Sequence, residues 1–319
     1  MLYSILKIYA RLAIKLYCRS ITCNHKKAFD TNGPLLIAVN HPNSFLDAVI
    51  IATLFKYPVY SLARGDVFKG KLVQFALKLL HIMPVYRISE GAANIGYNYK
   101  TFDACREIFK QNGHVLIFCE GICVNEWHLR PLKKGPARLV LQAWENNIPL
   151  QVLPIGINYD AFKSFGKTMI INTGSLVSKN DFSLANTEGR NIAQITEALT
   201  RQMQHLVIEI DTSDTVKRQQ IFATKQHPLL KVLLAIPAFA GLLLHAPLYA
   251  TVKFLVQNTR VHFAHYDSLL VVFLFMAYPV YLFAIALTGF WIWGGWYWLA
   301  LVAVMPVLAW SYIQLKPRT

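Results

Sequence analysis

The sequence predicts an α/β domain with a mixed, mostly parallel sheet flanked by helices. An N-terminal basic helix precedes it and an all-α transmembrane region follows it. Three observations carry this. Short apolar runs alternate with helix-like segments from residue 34 to residue 210. Lys7, Arg11, Lys15 and Arg19 recur every four positions within an otherwise apolar opening stretch. Between Asp267 and Lys316 lie 48 residues without a charge, enough to cross a hydrocarbon core of ~30 Å twice. The boundaries fall at 1–27, 28–226 and 229–315.

Composition excludes several classes. Of 319 residues, 55% are apolar or aromatic and 15% are charged, against roughly 25% charged in an average soluble domain. Disordered, collagenous and disulfide-rich secreted chains do not look like this. The net charge is +15, and residues 1–228 hold 27 of the 32 basic side chains. A cationic domain attached to a bilayer points to anionic lipid or to substrates carrying phosphate. Nucleic acid is not expected as a partner, because no basic run is interleaved with aromatics. The five cysteines have no framework spacing, which fits a reducing compartment. Cys119 and Cys123, with His114 and His128 nearby, lack the paired ligand spacing of a zinc site. They read as buried thiols, and no metal or other cofactor is expected.

The elements follow in order. On a helix, Lys7, Arg11, Lys15 and Arg19 form one stripe, with Leu, Ile and Tyr around the rest. That is the pattern of a helix lying in a membrane interface. PLLIAVN (34–40), PVYSLAR (58–64), PVYRI (84–88), HVLIFCEG (114–121), IPLQVLPIGINY (148–159) and KTMIINTGSLV (167–177) read as strands. FLDAVIIATLF, KGKLVQFALKLLH, TFDACREIFKQNG, ARLVLQAWENN and the closing NIAQITEALTRQMQHLVIEI read as helices. Val232–Val252 carries two prolines, so it either spans or bends and re-enters. Residues 268–288 and 291–312 read as a spanning hairpin, joined by a tryptophan-rich turn suited to the membrane edge. Lys225, Lys231, Lys316 and Arg318 place the α/β domain and the tail on the cytoplasmic side of the inner membrane, with an even number of crossings.

Chemistry concentrates in NHPNSFLD (40–47), where a strand ends and a helix begins. Open α/β sheets build their sites at such strand ends. His41 is a candidate general base, because imidazole titrates near neutrality. Asp47 could hold the other ring nitrogen and stabilise the imidazolium. The competing reading is that Ser44 and Asp47 form a helix cap.

The order NHPNSFLD, MPVYR (83–87), FCEG (118–121) with LKKG (132–135), and VLPIGI (152–157) resembles the four sequence blocks of the glycerolipid acyltransferase superfamily. The resemblance covers about residues 34–177. It implies His41 and Asp47 as the catalytic pair, Arg87 as the acceptor-binding arginine, and Glu120–Gly121 as the Glu-Gly pair of the third block. Two departures stand out. Five residues separate His41 from Asp47 where most members have four, a spacing similar to the glycerol-3-phosphate and dihydroxyacetone-phosphate acyltransferases with C-terminal spans. Ile122 and Cys123 follow Gly121 where a hydroxyl residue is usual.

The reaction so implied moves an acyl group from acyl-CoA or acyl carrier protein to glycerol-3-phosphate or lysophosphatidic acid. His41 deprotonates the acceptor hydroxyl, which attacks the thioester without an acyl-enzyme. Arg87 would grip the acceptor phosphate through its planar fork, with Lys133 and Lys134 adding charge. Glu120 would hold an acceptor hydroxyl or the basic residues. Transacylation between phospholipids, O-acylation of an aminolipid, and a non-catalytic lipid-binding role are the alternatives.

Overall fold

The computed structural model describes residues 2–85, 95–184, 186–224, 227–259 and 265–317, with side chains at 72 and 95–99 set aside. Helix α1 (Leu2–Tyr17) runs directly into strand β1 (Cys18–Cys23). Then follow β2 (Leu35–Val39), α2 (Ser44–Leu54), β3 (Val59–Arg64), α3 (Lys71–Leu79), β4 (Ile82–Val85), α4 (Ile95–Lys110), β5 (His114–Phe118), α5 (Lys134–Glu145), β6 (Gln151–Tyr159), β7 (Lys167–Thr173), α6 (Glu188–Leu206) and α7 (Thr215–Ile221). The C-terminal helices are α8 (Pro228–Gln257), α9 (Tyr266–Trp293) and α10 (Leu301–Leu315), the last entered through a short 3-10 turn.

The seven strands lie in the order β1-β7-β6-β2-β5-β3-β4. Strands β6, β2, β5, β3 and β4 are parallel, and β7 runs antiparallel to β6 with β1 parallel to β7. The sheet is therefore mixed and mostly parallel. Strand β2 is its centre, and all five of its residues are buried. Their alternation splits them between two cores, as a two-residue period demands. Leu35, Ile37 and Val39 pack with α1, α2 and the start of α9; Leu36 and Ala38 pack with α4, α5 and α6.

Helix α2 is apolar nearly all round because it is covered twice. The sheet lies on one side, and α1 and α9 lie on the other. Lys7 Nζ donates to the carbonyls of Phe55 and Tyr57 at 2.6 and 3.1 Å, and Arg11 reaches Thr53 O. These are the open carbonyls at the C-terminal end of α2, where a cation is favoured by the helix dipole. At the other end of the stripe, Arg19 Nε donates to Ile313 O at 3.1 Å, capping α10. The stripe thus differs from its expected role on lipid phosphates: three of its four cations cap helices inside the protein. The face that α1 leaves exposed carries Leu2, Ile5, Ile8 and Leu12, with Ser4, Arg11 and Lys15 exposed as well.

Three described helices are long and apolar enough to cross a membrane: Pro228–Gln257, Tyr266–Trp293 and Trp296–Leu315. Pro237 and Pro247 do not end α8, which is one helix of 30 residues. Gly241 lets α8 and α10 meet closely, since a Cβ there would stand 2.2 Å from Leu308 O. Both feet of the α9–α10 hairpin stand on the α/β domain. Ser268 bonds to the first turn of α2, and Gln314 Nε2 donates to Arg19 O at 3.2 Å.

Candidate active site

Parallel strands β2 and β5 end side by side, with Val39 opposite Phe118, and each continues into a turn carrying chemistry. After β2 the chain holds Asn40 and then His41. Asn40 ties this exit to β6 twice, donating to Ile157 O at 3.1 Å and accepting from Ile157 N–H at 2.7 Å. After β5 it holds Glu120 and Gly121. The site lies outside the carboxyl ends of the strands, where such sheets leave room for ligands.

His41 Nδ1 lies 3.0 Å from Asp47 Oδ2. The imidazole stacks on Phe118, with ring centroids 3.6 Å apart and planes 13° apart. Its side chain is 17% exposed, while Asp47 is wholly buried. Two further donors hold the carboxylate: Asn43 N–H reaches Oδ2 at 2.7 Å and Tyr159 O–H reaches Oδ1 at 2.6 Å. Capping and orientation are therefore not alternatives at Asp47. Its Oδ2 takes the N–H of Asn43, the residue preceding α2, and faces His41 as well. The fifth intervening residue is absorbed at the entrance to the helix, where Ser44, the first residue of α2, adopts φ 53°, a region costly for a residue with a Cβ. That turn is fastened from outside: Ser44 N–H donates to Cys123 Sγ at 2.9 Å, and Asn125 Nδ2 donates to Pro42 O at 2.7 Å.

Glu120 is 5% exposed. Its Oε2 accepts the N–H of His41 at 2.8 Å, and its Oε1 accepts the N–H of Arg130 at 2.9 Å. The sequence suggests that this carboxylate grips an acceptor hydroxyl or the nearby basic side chains. Instead it joins two backbone turns, because buried main-chain donors need acceptors. Burial raises its pKa from the ordinary carboxylate value, while the N–H groups of Arg130 and His41 oppose the shift. Gly121 sits at φ 65°, and a Cβ there would lie 3.1 Å from Lys133 Cγ. Lys133 therefore lies over the Glu-Gly turn. Lys133 and Lys134 are exposed and open α5 at an end without a side-chain cap. Arg87 lies outside the described residues.

The thiols separate. Cys119 is fully buried in the core against α4, α5 and α6, Cys123 faces Ser44, and burial pushes both up to about 12. Among the described residues no three His, Cys, Asp or Glu side chains form a metal-sized cluster. Three partners of the pair are given no role by the sequence: Asn43 and Phe118, although they lie inside NHPNSFLD and FCEG, and Tyr159. The last two close strand segments, and strand ends were the available signal.

Comparison with known proteins adds the family. Residues 20–158 match the family model described as Acyltransferase. Residues 20–158 are an acyltransferase domain of the glycerolipid acyltransferase superfamily. The acyltransferase is 23% identical over 188 residues to the 1-acyl-sn-glycerol-3-phosphate acyltransferase of Bacillus subtilis (strain 168), covering 59% of this chain and 88% of that one. Among solved structures it is similar to the 1-acyl-sn-glycerophosphate (LPA) acyltransferase PlsC of Thermotoga maritima. The TM-score is 0.43 at 13% identity, over 64% of this chain and 79% of that one. The sheet of the acyltransferase continues past the matched segment through β7, so its fold is larger than the family block.

Proposed function

We propose that the acyltransferase carries a fatty acyl group from an acyl thioester, CoA or acyl carrier protein, to the free hydroxyl of lysophosphatidic acid. The observation that carries this reading is the His41–Asp47 pair at the exit of β2. With Nδ1–H given to Asp47, Nε2 of neutral imidazole is left as the proton acceptor. The acceptor hydroxyl gives its proton to Nε2 as its oxygen attacks the thioester carbonyl. Buried Asp47 stabilises the imidazolium so formed. The tetrahedral intermediate collapses, the carbon–sulfur bond breaks, and the proton passes from His41 to the departing thiolate. The products are one ester and one thiol, with no acyl-enzyme.

Glu120 serves this chemistry as a brace. It fixes the N–H of His41 and thereby the backbone from which the imidazole projects. Arg87 takes the acceptor phosphate in a bidentate fork, and Lys133 and Lys134 add positive charge beside it. Glycerol-3-phosphate is the second acceptor, favoured by the His–Asp spacing. The catalytic domain and the tail face the cytoplasm, with α9 and α10 crossing the membrane as a hairpin, α8 packed along α10, and the apolar residues of α1 against the membrane surface. The supports are the basic flanks of the spans and the exposed Leu2, Ile5, Ile8 and Leu12.

The test supplies purified full-length protein with labelled acyl-CoA or acyl carrier protein and a panel of acceptors. The panel holds glycerol-3-phosphate, lysophosphatidic acid, an aminolipid and a lysophospholipid with a substituted headgroup. Phosphatidic acid as the main product supports the proposal. Acyl transfer only to the aminolipid, or from a phospholipid donor without thiol release, overturns it.

A further inference from the structure

The first turn of α9 carries a charge that the chemistry above does not use. Asp267 is 2% exposed and its partner Lys167, the first residue of β7, is wholly buried. A buried ion pair is weak support for stability, because desolvating two charges offsets their attraction. Such a pair is best explained by something it fixes.

What it touches is the loop that carries His41. Asp267 Oδ2 accepts from Lys167 Nζ and also from Asn43 Nδ2, the latter at 2.9 Å. Its other oxygen accepts from Tyr17 O–H, at the end of α1. Asn43 is thereby strung between two carboxylates. Its side chain donates to Asp267, and its own N–H donates to the Asp47 oxygen that faces His41. The next residue repeats the connection. Ser268 Oγ accepts from Leu46 N–H at 3.0 Å and donates to Asn43 O at 3.1 Å. Leu46 N–H is one of the open donors in the first turn of α2, so α9 caps α2 from outside. Ser44 Oγ lies 2.6 Å from His265 Nδ1. On the far side, the Lys167 ammonium lies 5.2 Å from the Tyr159 ring centroid, and Tyr159 holds the second oxygen of Asp47. The circuit closes on the catalytic carboxylate from both sides.

We infer that Asp267 and Ser268, at the head of the membrane helix α9, are positioning residues for His41 and Asp47, so that the C-terminal helices are part of the active site and not only its anchor. The inference rests on the catalytic reading of His41. Turnover then depends on where α9 stands relative to the sheet, and a shift of the helix head moves Asn43 and with it the Asp47 oxygen facing His41.

The experiment uses full-length protein in detergent and in vesicles. Two paired replacements each remove both buried charges: Lys167→Met with Asp267→Leu, and Lys167→Met with Asp267→Asn. The first takes the Asp267 acceptor from the Asn43 amide and leaves it only the longer bond to Phe162 O at 3.3 Å, whereas the second keeps an amide oxygen for it. The leucine pair is expected to lower kcat on the order of 10²-fold, the scale of a 1 Å misplacement, with both KM values and the melting temperature nearly unchanged. The asparagine pair is expected to recover most of that loss. Equal turnover in the two pairs, or a loss that only follows melting temperature, overturns the inference. Should the leucine pair fail to fold, Ser268→Ala and Ser268→Thr repeat the comparison. Alanine should lower kcat about tenfold through the lost cap on α2, and threonine should restore it; equal values overturn the inference. His41→Gln serves as reference. If it is dead while the leucine pair turns over normally, only this inference fails; if it is active, the catalytic reading fails too.

Discussion

Replacing Asp47 by asparagine separates orientation of His41 from capping of α2, because asparagine is nearly isosteric and differs in charge and in one donor. In the wild type, three hydrogen bonds converge on the carboxylate: from Asn43 N–H at 2.7 Å, Tyr159 O–H at 2.6 Å and His41 Nδ1 at 3.0 Å. Asparagine can keep all three in neutral form. Its carbonyl oxygen, in the Oδ2 place, takes Asn43 N–H and still faces His41 Nδ1, and the Tyr159 hydroxyl turns to accept from the new amide. The folded state thus loses the charge on these bonds but not the bonds, roughly 1–2 kcal/mol. Catalysis loses more. Without the carboxylate the imidazolium formed in the reaction is no longer stabilised by a full negative charge. Comparable replacements of a buried orienting carboxylate lower kcat about 10⁴-fold, near 5.5 kcal/mol at 1.36 kcal/mol per tenfold. The assay follows thiol release from the acyl thioester, with thermal unfolding of the same preparation alongside. A variant that melts several degrees lower yet turns over within about threefold of wild type would refute orientation and leave Asp47 as a cap.

The remaining expectations are shorter. Glu120→Gln keeps the shape but offers one acceptor to two backbone donors, so it should cost about 1–3 kcal/mol of stability and lower kcat with little change in KM. The pH dependence has a definite sign. Because the folded pKa of Glu120 is raised by burial, protonation favours the folded state, and the Glu120 contribution to stability grows as pH falls through that raised pKa. Turnover should fall over the same window as the brace on His41 is lost, and Glu120→Gln should lack that acid limb; an unaltered limb removes Glu120 from the account. Arg87→Lys should raise the acceptor KM well above any change in donor KM, since lysine keeps charge but loses the fork; equal changes in both would make Arg87 structural. Reversing Lys7 and Arg11 to glutamate should lower the melting temperature, because each cation sits on the carbonyl end of α2 and such contacts are worth ~0.3–1 kcal/mol each. A change confined to vesicle binding would return these two cations to lipid phosphates.

The fold was legible where one residue's neighbours in sequence are also its neighbours in space. Segments such as LLIAV and SFLDAVIIATL declare themselves by length and apolar run, and the order of strand and helix implied a mostly parallel sheet. Strand β1 was missed because CRSITC lacks an apolar face, and its pairing with β7 is supplied by residues about 150 positions away. The basic stripe holds on α1 for Lys7, Arg11 and Lys15 only, because the helix ends at Tyr17 and Arg19 lies in β1; its partners at the carbonyl ends of α2 and α10 are encoded by no spacing in α1. His41 and Asp47 were visible as a pair because six positions separate them. Tyr159 and Asp267 were not, since they reach the same loop from 112 and 224 positions away. A polar residue at the end of a strand, or a lone acid at the start of an uncharged stretch, is the only trace such partners leave.

The measurement that bears most directly on the account is product formation by His41→Gln in full-length protein, compared with wild type under saturating thioester and lysophosphatidic acid. Glutamine fills similar space and keeps a hydrogen bond to Asp47 but cannot accept a proton at the Nε2 position. The account predicts that phosphatidic acid and free thiol form together in the wild type, and that both fall by at least the 10²–10⁴-fold of a lost general base while melting temperature holds. Phosphatidic acid formed by the variant at near the wild-type rate would contradict it.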